Sequence, residues 1–281
     1  MSESTADFSA WIGRTETIED DMGLSAALAA AATLEDSTPI EAGRPLPPLW
    51  QWFYFLPRAP QSRLGLDGHP RRGDFMPPIP YPRRMFAGGR QHFLRPLVLG
   101  RPARRTGVIR NVVQKSGRSG ALAFVTVGYS YSQDGEVCVE EEQDLVYREP
   151  GPPVAAPQPA ELPPVPAGAW SRLVTPDTRL LFRFSALTFN AHRIHYDRPY
   201  AMAEEGYPGL IVHGQLAAAL LVALVRQNTD RPIVGFGFRG QAPLFDLAPF
   251  RLIAEPAGDQ VQLEAQSPDG QTALIATVEL G

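Results

Sequence analysis

The chain has 281 residues, 44% of them hydrophobic, and a formal net charge of −4. This length allows one large or two ordinary domains with proper cores, and the charge gives no sign of a nucleic-acid-binding protein. Cys138 is the only cysteine, which excludes a disulfide framework and a cysteine zinc site. No apolar run reaches the roughly 18 residues of a membrane span, and the acidic N-terminus lacks a signal-peptide pattern. We therefore expect a cytoplasmic protein without a membrane partner.

The first half predicts a helix, a long loop and then strands. Residues 18–34 place acidic residues ahead of an alanine-rich run, which favours a helix. Residues 57–84 form a loop rich in Pro, Gly and Arg, and loops of this length are usually functional or mobile. Four strand-like runs follow, the last two joined by an Asp134–Gly135 turn: 85–93, 104–115, 121–132 and 137–147.

A segment rich in proline and alanine divides the chain. Each proline lacks an amide donor, so residues 149–168 cannot form a helix or an inner strand. We interpret this segment as a semi-rigid linker. It separates a predicted N-terminal domain, 1–148, from a predicted C-terminal domain, 169–281.

The second half repeats the pattern of the first. We predict a strand over 180–185, a helix over 214–227, and four strands over 233–241, 250–255, 261–266 and 272–280. Both halves contain a Pro-Leu pair, with a second proline six residues after the first, and both join a pair of long strands by an Asp-Gly turn. This similarity predicts a duplicated unit in which an antiparallel sheet wraps one helix.

Three of the five histidines, His192, His195 and His213, fall within residues 184–215. Imidazoles move protons near neutral pH, and a glycine that opens a helix, here Gly214, exposes backbone N–H groups that can hold developing negative charge. Together they suggest acid/base chemistry on a carbonyl compound. His192, His195 and Asp197 have metal-binding side chains, but their spacings fit no familiar zinc pattern, so we expect no metal.

The same run resembles the MaoC-like, R-specific enoyl-CoA hydratase type 2 family of hotdog proteins. The matching residues are Asn190, His192, His195, Asp197, Ala201, Gly206, Tyr207, Ile211, Val212, His213 and Gly214. The resemblance implies an α+β double hotdog, in which two antiparallel sheets each wrap a central helix and pair edge to edge. It also implies one active site in the C-terminal unit, and two chains that pair as a homodimer.

Two positions depart from the commonest form of this family. Asn190 stands where most members have a catalytic aspartate, and His192 stands where they have asparagine. This variant resembles the type 2 hydroxyacyl-thioester dehydratases and the related mesaconyl-C4-CoA (3-methylfumaryl-CoA) and itaconyl-CoA hydratases. It implies a hydro-lyase that acts on an acyl-CoA thioester, without a cofactor beyond the CoA of its substrate.

The leading expectation is reversible hydration of mesaconyl-C4-CoA to citramalyl-CoA. An itaconyl-CoA hydratase and a 3-hydroxyacyl-thioester dehydratase are the alternative enzymes. Because Asn190 leaves no carboxylate at the usual position, a non-catalytic acyl-CoA-binding module is a further alternative.

Hydration of an enoyl thioester requires a base for water, a proton for the α-carbon and a donor to the thioester oxygen. His195 is the predicted base, because an imidazole with a pKa of about 6.5 accepts a proton near neutral pH. The amide of Asn190 can orient the water, and the N–H of Gly214 is the predicted oxyanion donor, worth about 3 kcal/mol. His192 either positions water or caps the loop. Asp197 is expected to hold backbone N–H groups of its turn, and His213 to pack or bond locally just before the helix.

Substrate binding is assigned to cationic and histidine side chains, because CoA phosphates and a free carboxylate both need such partners. Arg193 and Arg198 flank the motif, and the loop residues Arg83 and Arg84 could also meet a carboxylate. The predicted substrate-binding residues are His192, Arg193, His213, Arg90 and His92.

Overall fold

The computed structural model describes residues 7–117 and 120–281. Residues 1–6 and 118–119 of the predicted N-terminal domain lie outside the described residues. Within the described part, ten strands form one antiparallel sheet. They are β1 (Thr15–Asp20), β2 (Arg83–Phe93), β3 (Ala103–Gly117), β4 (Gly120–Gln133), β5 (Glu136–Arg148), β6 (Trp170–Val174), β7 (Ile233–Gly240), β8 (Phe250–Ala257), β9 (Gln260–Gln266) and β10 (Thr272–Leu280). The α-helices of the same part are α1 (Leu24–Leu34), α2 (Thr178–Leu187), α3 (Arg198–Ala203) and α4 (Gly214–Arg226).

The two halves of the sheet have the same strand order. The sheet runs β1-β3-β4-β5-β2 and continues β7-β10-β9-β8-β6. Counted from its outer edge to the junction, each half therefore has its first, third, fourth, fifth and second strands in that order. β2 pairs with β7 and joins the halves edge to edge. A Cβ atom on Gly88 would lie 2.5 Å from the carbonyl oxygen of Phe238, so glycine lets the two backbones meet at this junction. The predicted double hotdog is confirmed.

Helix α4 is the core of the second half. All ten residues from Leu216 to Val225 are buried, as expected for a helix that is apolar on every side. The helix contacts β6, β8, β9 and β10, so the sheet wraps it as predicted. In the first half α1 buries one face, with Ala27, Ala30 and Leu34, and packs beside the 3₁₀ helix Trp50–Phe53.

Two local predictions are wrong. The predicted strand at 180–185 is part of helix α2, because Asp177 caps its first turn by accepting from the N–H of Leu180 (2.9 Å). Leu181, Phe184 and Ser185 then follow helical spacing into the core. The predicted helix at 18–34 begins only at Leu24, since the preceding residues form β1 and pair with β3.

The proline-rich segment lies between β5 and β6 and contains neither helix nor strand. It contacts the second half through backbone hydrogen bonds: the N–H of Val154 donates to Gly206 (2.8 Å), and that of Ala160 donates to Pro268 (3.0 Å). Across the described residues, no helix combines the length and the apolar character needed to cross a membrane.

Candidate active site

A cavity of about 900 Å³ lies between the two halves. The first half contributes the loop between the 3₁₀ helix and β2, together with strand residues that include Arg84 and Tyr147. The second half contributes residues 188–191 and Gln215, the second residue of α4. Asn190 is therefore in the wall of this cavity, as its predicted role requires.

The long loop of the first half docks against the motif of the second. The backbone N–H of Arg193 donates to the carbonyl of Asp67 (2.9 Å), and its guanidinium donates to the carbonyl of Leu66 (3.1 Å). Gly68, at φ +93°, lies so close that a Cβ atom would be 1.7 Å from the carbonyl oxygen of Ala191. Only glycine fits this contact. The docking brings Asp67 and His69 to the cavity.

Four of the five histidines form one cluster. His213 stacks on His195 with ring centroids 3.6 Å apart, and His195 meets the edge of His192 at 5.5 Å. His192 lies 4.1 Å from His69, which is in the cavity wall. Three of these histidines were predicted as site residues. His69 was missed, although it stands in the loop whose length already suggested function.

His195 has a defined tautomer. Its Nδ1 lies 2.8 Å from the carbonyl oxygen of Ile211, which can only accept, so Nδ1 carries the proton and Nε2 keeps a lone pair. Burial lowers the pKa of His195 to about 4, although the hydrogen bond to Ile211 opposes this shift. The ring is therefore neutral at neutral pH.

His213 is held between α2 and α4. Its Nε2 lies 2.9 Å from the hydroxyl of Ser185, and burial, with a smaller contribution from His195, lowers its pKa well below the usual range. The next residue, Gly214, is exposed and begins α4, and a Cβ atom there would meet nothing within 4 Å. The next residue along, Gln215, lines the cavity, so the N-terminus of α4 lies beside it, where a helix N–H can serve an anion.

Asn190 is oriented by its own loop. Its Oδ1 accepts from the backbone N–H of His192 (2.9 Å), which leaves the amide NH₂ as the donor available to the cavity. Burial lowers the pKa of His192 well below its usual range, with further contributions from His69 and His195.

Asp67 and His69 form a hydrogen-bonded dyad at the cavity wall. Oδ2 of Asp67 lies 3.0 Å from Nδ1 of His69. Burial lowers the pKa of His69, and the charge of Arg84 adds to this effect. Asp67, His69 and His192 bring potential ligand atoms within 4.8 Å of one another, a set different from the one weighed from the sequence. Because Oδ2 of Asp67 and Nδ1 of His69 are hydrogen-bonded to each other, we interpret the group as a dyad beside a second imidazole, that of His192.

None of the five predicted substrate-binding residues belongs to the cavity wall, and these predictions are corrected. Arg193 is bound by Asp197 through Nε (2.9 Å) and Nη2 (2.8 Å), while Asp197 also caps α3. Arg90 pairs with carboxylates of β5, and His92 is exposed beside it in a separate depression. His192 and His213 belong to the cluster but do not line the cavity.

Arg84 lines the cavity, where Arg90 was expected. Both belong to β2 and, six residues apart, would share a face of a regular strand. A β-bulge between Phe86 and Gly88 adds one residue and reverses the alternation. Arg84 consequently lines the cavity, and among the described residues its guanidinium has no hydrogen-bonding or ion-pair partner.

Comparisons with known proteins show what the chain is similar to. The family described as hydroxyacyl-thioester dehydratase type 2 matches residues 49–246. The chain is 71% identical over 279 residues, 99% of both chains, to the mesaconyl-C(4)-CoA hydratase of Chloroflexus aurantiacus. It is 26% identical over 243 residues to the mitochondrial hydroxyacyl-thioester dehydratase type 2 of Schizosaccharomyces pombe, covering 76% of this chain and 79% of that one.

Solved structures agree on the fold. A MaoC-like dehydratase matches with a TM-score of 0.74 at 15% identity, covering 98% of this chain and 99% of the other. A double-hotdog protein of Mycobacterium tuberculosis matches with a TM-score of 0.60 at 13% identity, covering 96% of each chain. Sequence and structure therefore lead to one conclusion: this chain belongs to the hydroxyacyl-thioester dehydratase type 2 family.

Proposed function

We propose that this protein catalyses the reversible hydration of mesaconyl-C4-CoA to citramalyl-CoA. The relative that is 71% identical over 99% of both chains is named for that substrate. One observation at the site carries the proposal: the cation Arg84 lies in the cavity wall and has no partner among the described residues.

The position of Arg84 favours a substrate whose acyl group carries a free carboxylate. Its charge lowers the pKa of His69 and His192, so it lies near the imidazoles. Arg84 is half-buried in the cavity wall without an anion beside it, and a substrate carboxylate would supply that partner through charge-assisted hydrogen bonds. Mesaconyl-C4-CoA carries a free carboxylate on its β-carbon, whereas a simple enoyl-CoA such as crotonyl-CoA does not.

The remaining groups suit the addition of water to an enoyl thioester. The Asn190 NH₂ group orients the water, the imidazole cluster accepts its proton, and the N–H of Gly214 stabilises the oxygen of the enolate. Arg58 and Arg71, in the part of the wall formed by the loop, are placed to meet the phosphates of CoA.

The test is a substrate panel with the purified protein. Hydration of mesaconyl-C4-CoA, itaconyl-CoA and crotonyl-CoA is followed by chromatographic separation of the substrate and product thioesters. We expect the highest kcat/KM on mesaconyl-C4-CoA. A preference for itaconyl-CoA would favour that alternative, activity on crotonyl-CoA alone would refute a dicarboxylic substrate, and thioester binding without turnover would indicate a non-catalytic module.

Arg84→Gln tests the carboxylate contact. We expect kcat/KM on mesaconyl-C4-CoA to fall by roughly 30-fold, the worth of one charge-assisted hydrogen bond, with much less change on crotonyl-CoA. Arg90→Gln is the matched control, because Arg90 belongs to the same strand and lies outside the cavity wall. Equal losses on both substrates would argue against a carboxylate role for Arg84.

The homodimer, the cytoplasmic location and the lack of a further cofactor stay predictions from the sequence.

A further inference from the structure

We propose that His69, oriented by Asp67, is the base that takes the proton from water in this reaction. The inference rests on the proposed hydration and assigns a catalytic residue that comes from the first half of the chain. It moves the base from His195, the histidine predicted from the sequence, to a neighbour in the same cluster.

His69 has direct access to the cavity. His69 belongs to the cavity wall together with Asn190 and Ala191, whereas His192 and His195 lie behind it. Gly68 contacts the carbonyl of Ala191, so the loop places His69 next to the asparagine that would hold the water. A base must lie within hydrogen-bond reach of the proton that it removes.

Proton transfer leaves a positive charge on the base, and His69 has a carboxylate partner for that charge. Asp67 accepts from Nδ1 of His69, so Nε2 keeps the lone pair, and the imidazolium formed there stays bonded to a carboxylate. The corresponding partner of His195 is the neutral carbonyl of Ile211, and its ring neighbours are two other imidazoles. An imidazolium at His195 would therefore be buried without a counter-charge, which is costly.

The segment that carries Asp67 and His69 is held in place before substrate binds. Two hydrogen bonds from Arg193 hold the carbonyls of Leu66 and Asp67, and the N–H of Gly65 donates to the carbonyl of His69 (2.7 Å). These contacts fix both ends of the short segment that carries the dyad. A base held by its own loop and by the opposite half needs little rearrangement before reaction.

One base suffices for the addition of water to the double bond. Nε2 of His69 takes a proton from water as the water oxygen bonds to the β-carbon. The π electrons move to the thioester oxygen, which the N–H of Gly214 stabilises as an enolate. The enolate then collapses as the α-carbon takes the proton back from His69, so one OH and one H are added and His69 returns to its neutral form.

The test compares His69→Gln, His69→Ala and Asp67→Asn with the matched control His92→Gln. His92 is an exposed histidine outside the cavity wall. We expect kcat of His69→Gln to fall by about 100-fold or more, with little change in KM, and kcat of the control to stay at the wild-type level. Added imidazole should raise kcat of His69→Ala by at least about 10-fold, because the cavity is open to a small base. A purely structural role for His69 would not respond to imidazole.

Asp67→Asn keeps the proposal testable if the His69 variants fail to fold. We expect its kcat to fall by about 10-fold or more at an unchanged KM, because the imidazolium loses its carboxylate partner. Wild-type kcat in His69→Gln, or in Asp67→Asn, would overturn the proposal, as would the lack of imidazole rescue. These measurements use whichever enoyl-CoA the wild-type protein hydrates, so a wrong acyl group in the proposed function leaves this test intact. If the wild-type protein hydrates none of the panel, both proposals fall.

Discussion

Gly68 is the point where the first half of the chain touches the motif of the second. Its φ of +93° is unfavourable for any other residue, and a Cβ atom would lie 1.7 Å from the carbonyl oxygen of Ala191. Real Cβ atoms essentially never approach another heavy atom within 3.0 Å. In Gly68→Ala the loop must therefore move away from the motif by more than about 1 Å.

This displacement should lower activity far more than stability. A shift of about 1 Å in a reacting group can cost about 100-fold in rate, and His69 follows Gly68 directly. We expect kcat on the substrate that the wild-type protein hydrates to fall by about 100-fold. The loss of unfolding free energy should stay near the roughly 1–3 kcal/mol of one strained backbone position, because the loop can undock without opening the core.

Gly73→Ala is the matched control. Gly73 belongs to the same loop and has φ +114°, but a Cβ atom there would meet nothing within 4 Å. The two variants share the backbone strain and differ in the clash, so their kcat values and urea midpoints are measured side by side. Equal kcat values in both variants would refute the reasoning that contact between Gly68 and Ala191 positions the dyad.

Two further predictions concern the helix start and the buried imidazoles. Gly214→Pro removes one N–H at the first helical position, where proline is accepted and where His213 already has the extended backbone that proline requires. Its kcat should fall by about 100-fold at an unchanged urea midpoint, and Gly214→Ala, which keeps the N–H, should lose much less; full activity of the proline variant would contradict an oxyanion role. The pKa of His195 is about 4 in the folded chain and about 6.5 when unfolded, so the unfolded state binds more protons between these values. Acidification from about pH 7 to about pH 5 should then lower the free energy of unfolding by roughly 2 kcal/mol, and an unchanged urea midpoint at the lower pH would contradict the burial argument.

Local sequence patterns predicted the architecture well where a single element had a distinctive composition or spacing. The apolar run from Leu216 to Val225 has no polar face, so a helix there must be buried on all sides. This run therefore predicted the central helix α4 without knowledge of the sheet. The Asp-Gly turns and paired strands likewise identified the repeat, which the structure confirms in the strand order of both halves. The strand predicted at 180–185 failed because its short apolar run fits either period, and the cap at Asp177 decided for the helix.

Candidate site residues could be predicted from the sequence only where they are neighbours in it. Asn190, His195 and Gly214 stand in one motif, so their types and spacing sufficed to propose them, and their roles stay predictions. His69 lies more than a hundred residues earlier, and the hydrogen bonds of Arg193 that bring it to the motif connect segments with no shared pattern.

The sequence alone determined the repeated strands, the central helix α4, the motif and the family, because these depend on periodicity and on residues close along the chain. The tertiary structure decided which side chains face the cavity. One extra residue at the β-bulge between Phe86 and Gly88 turns Arg84 inward and Arg90 outward. The docking of one loop completes a site in the second half with an imidazole from the first. Both outcomes depend on register and on long-range contacts, and a residue's own neighbours in the sequence do not encode either.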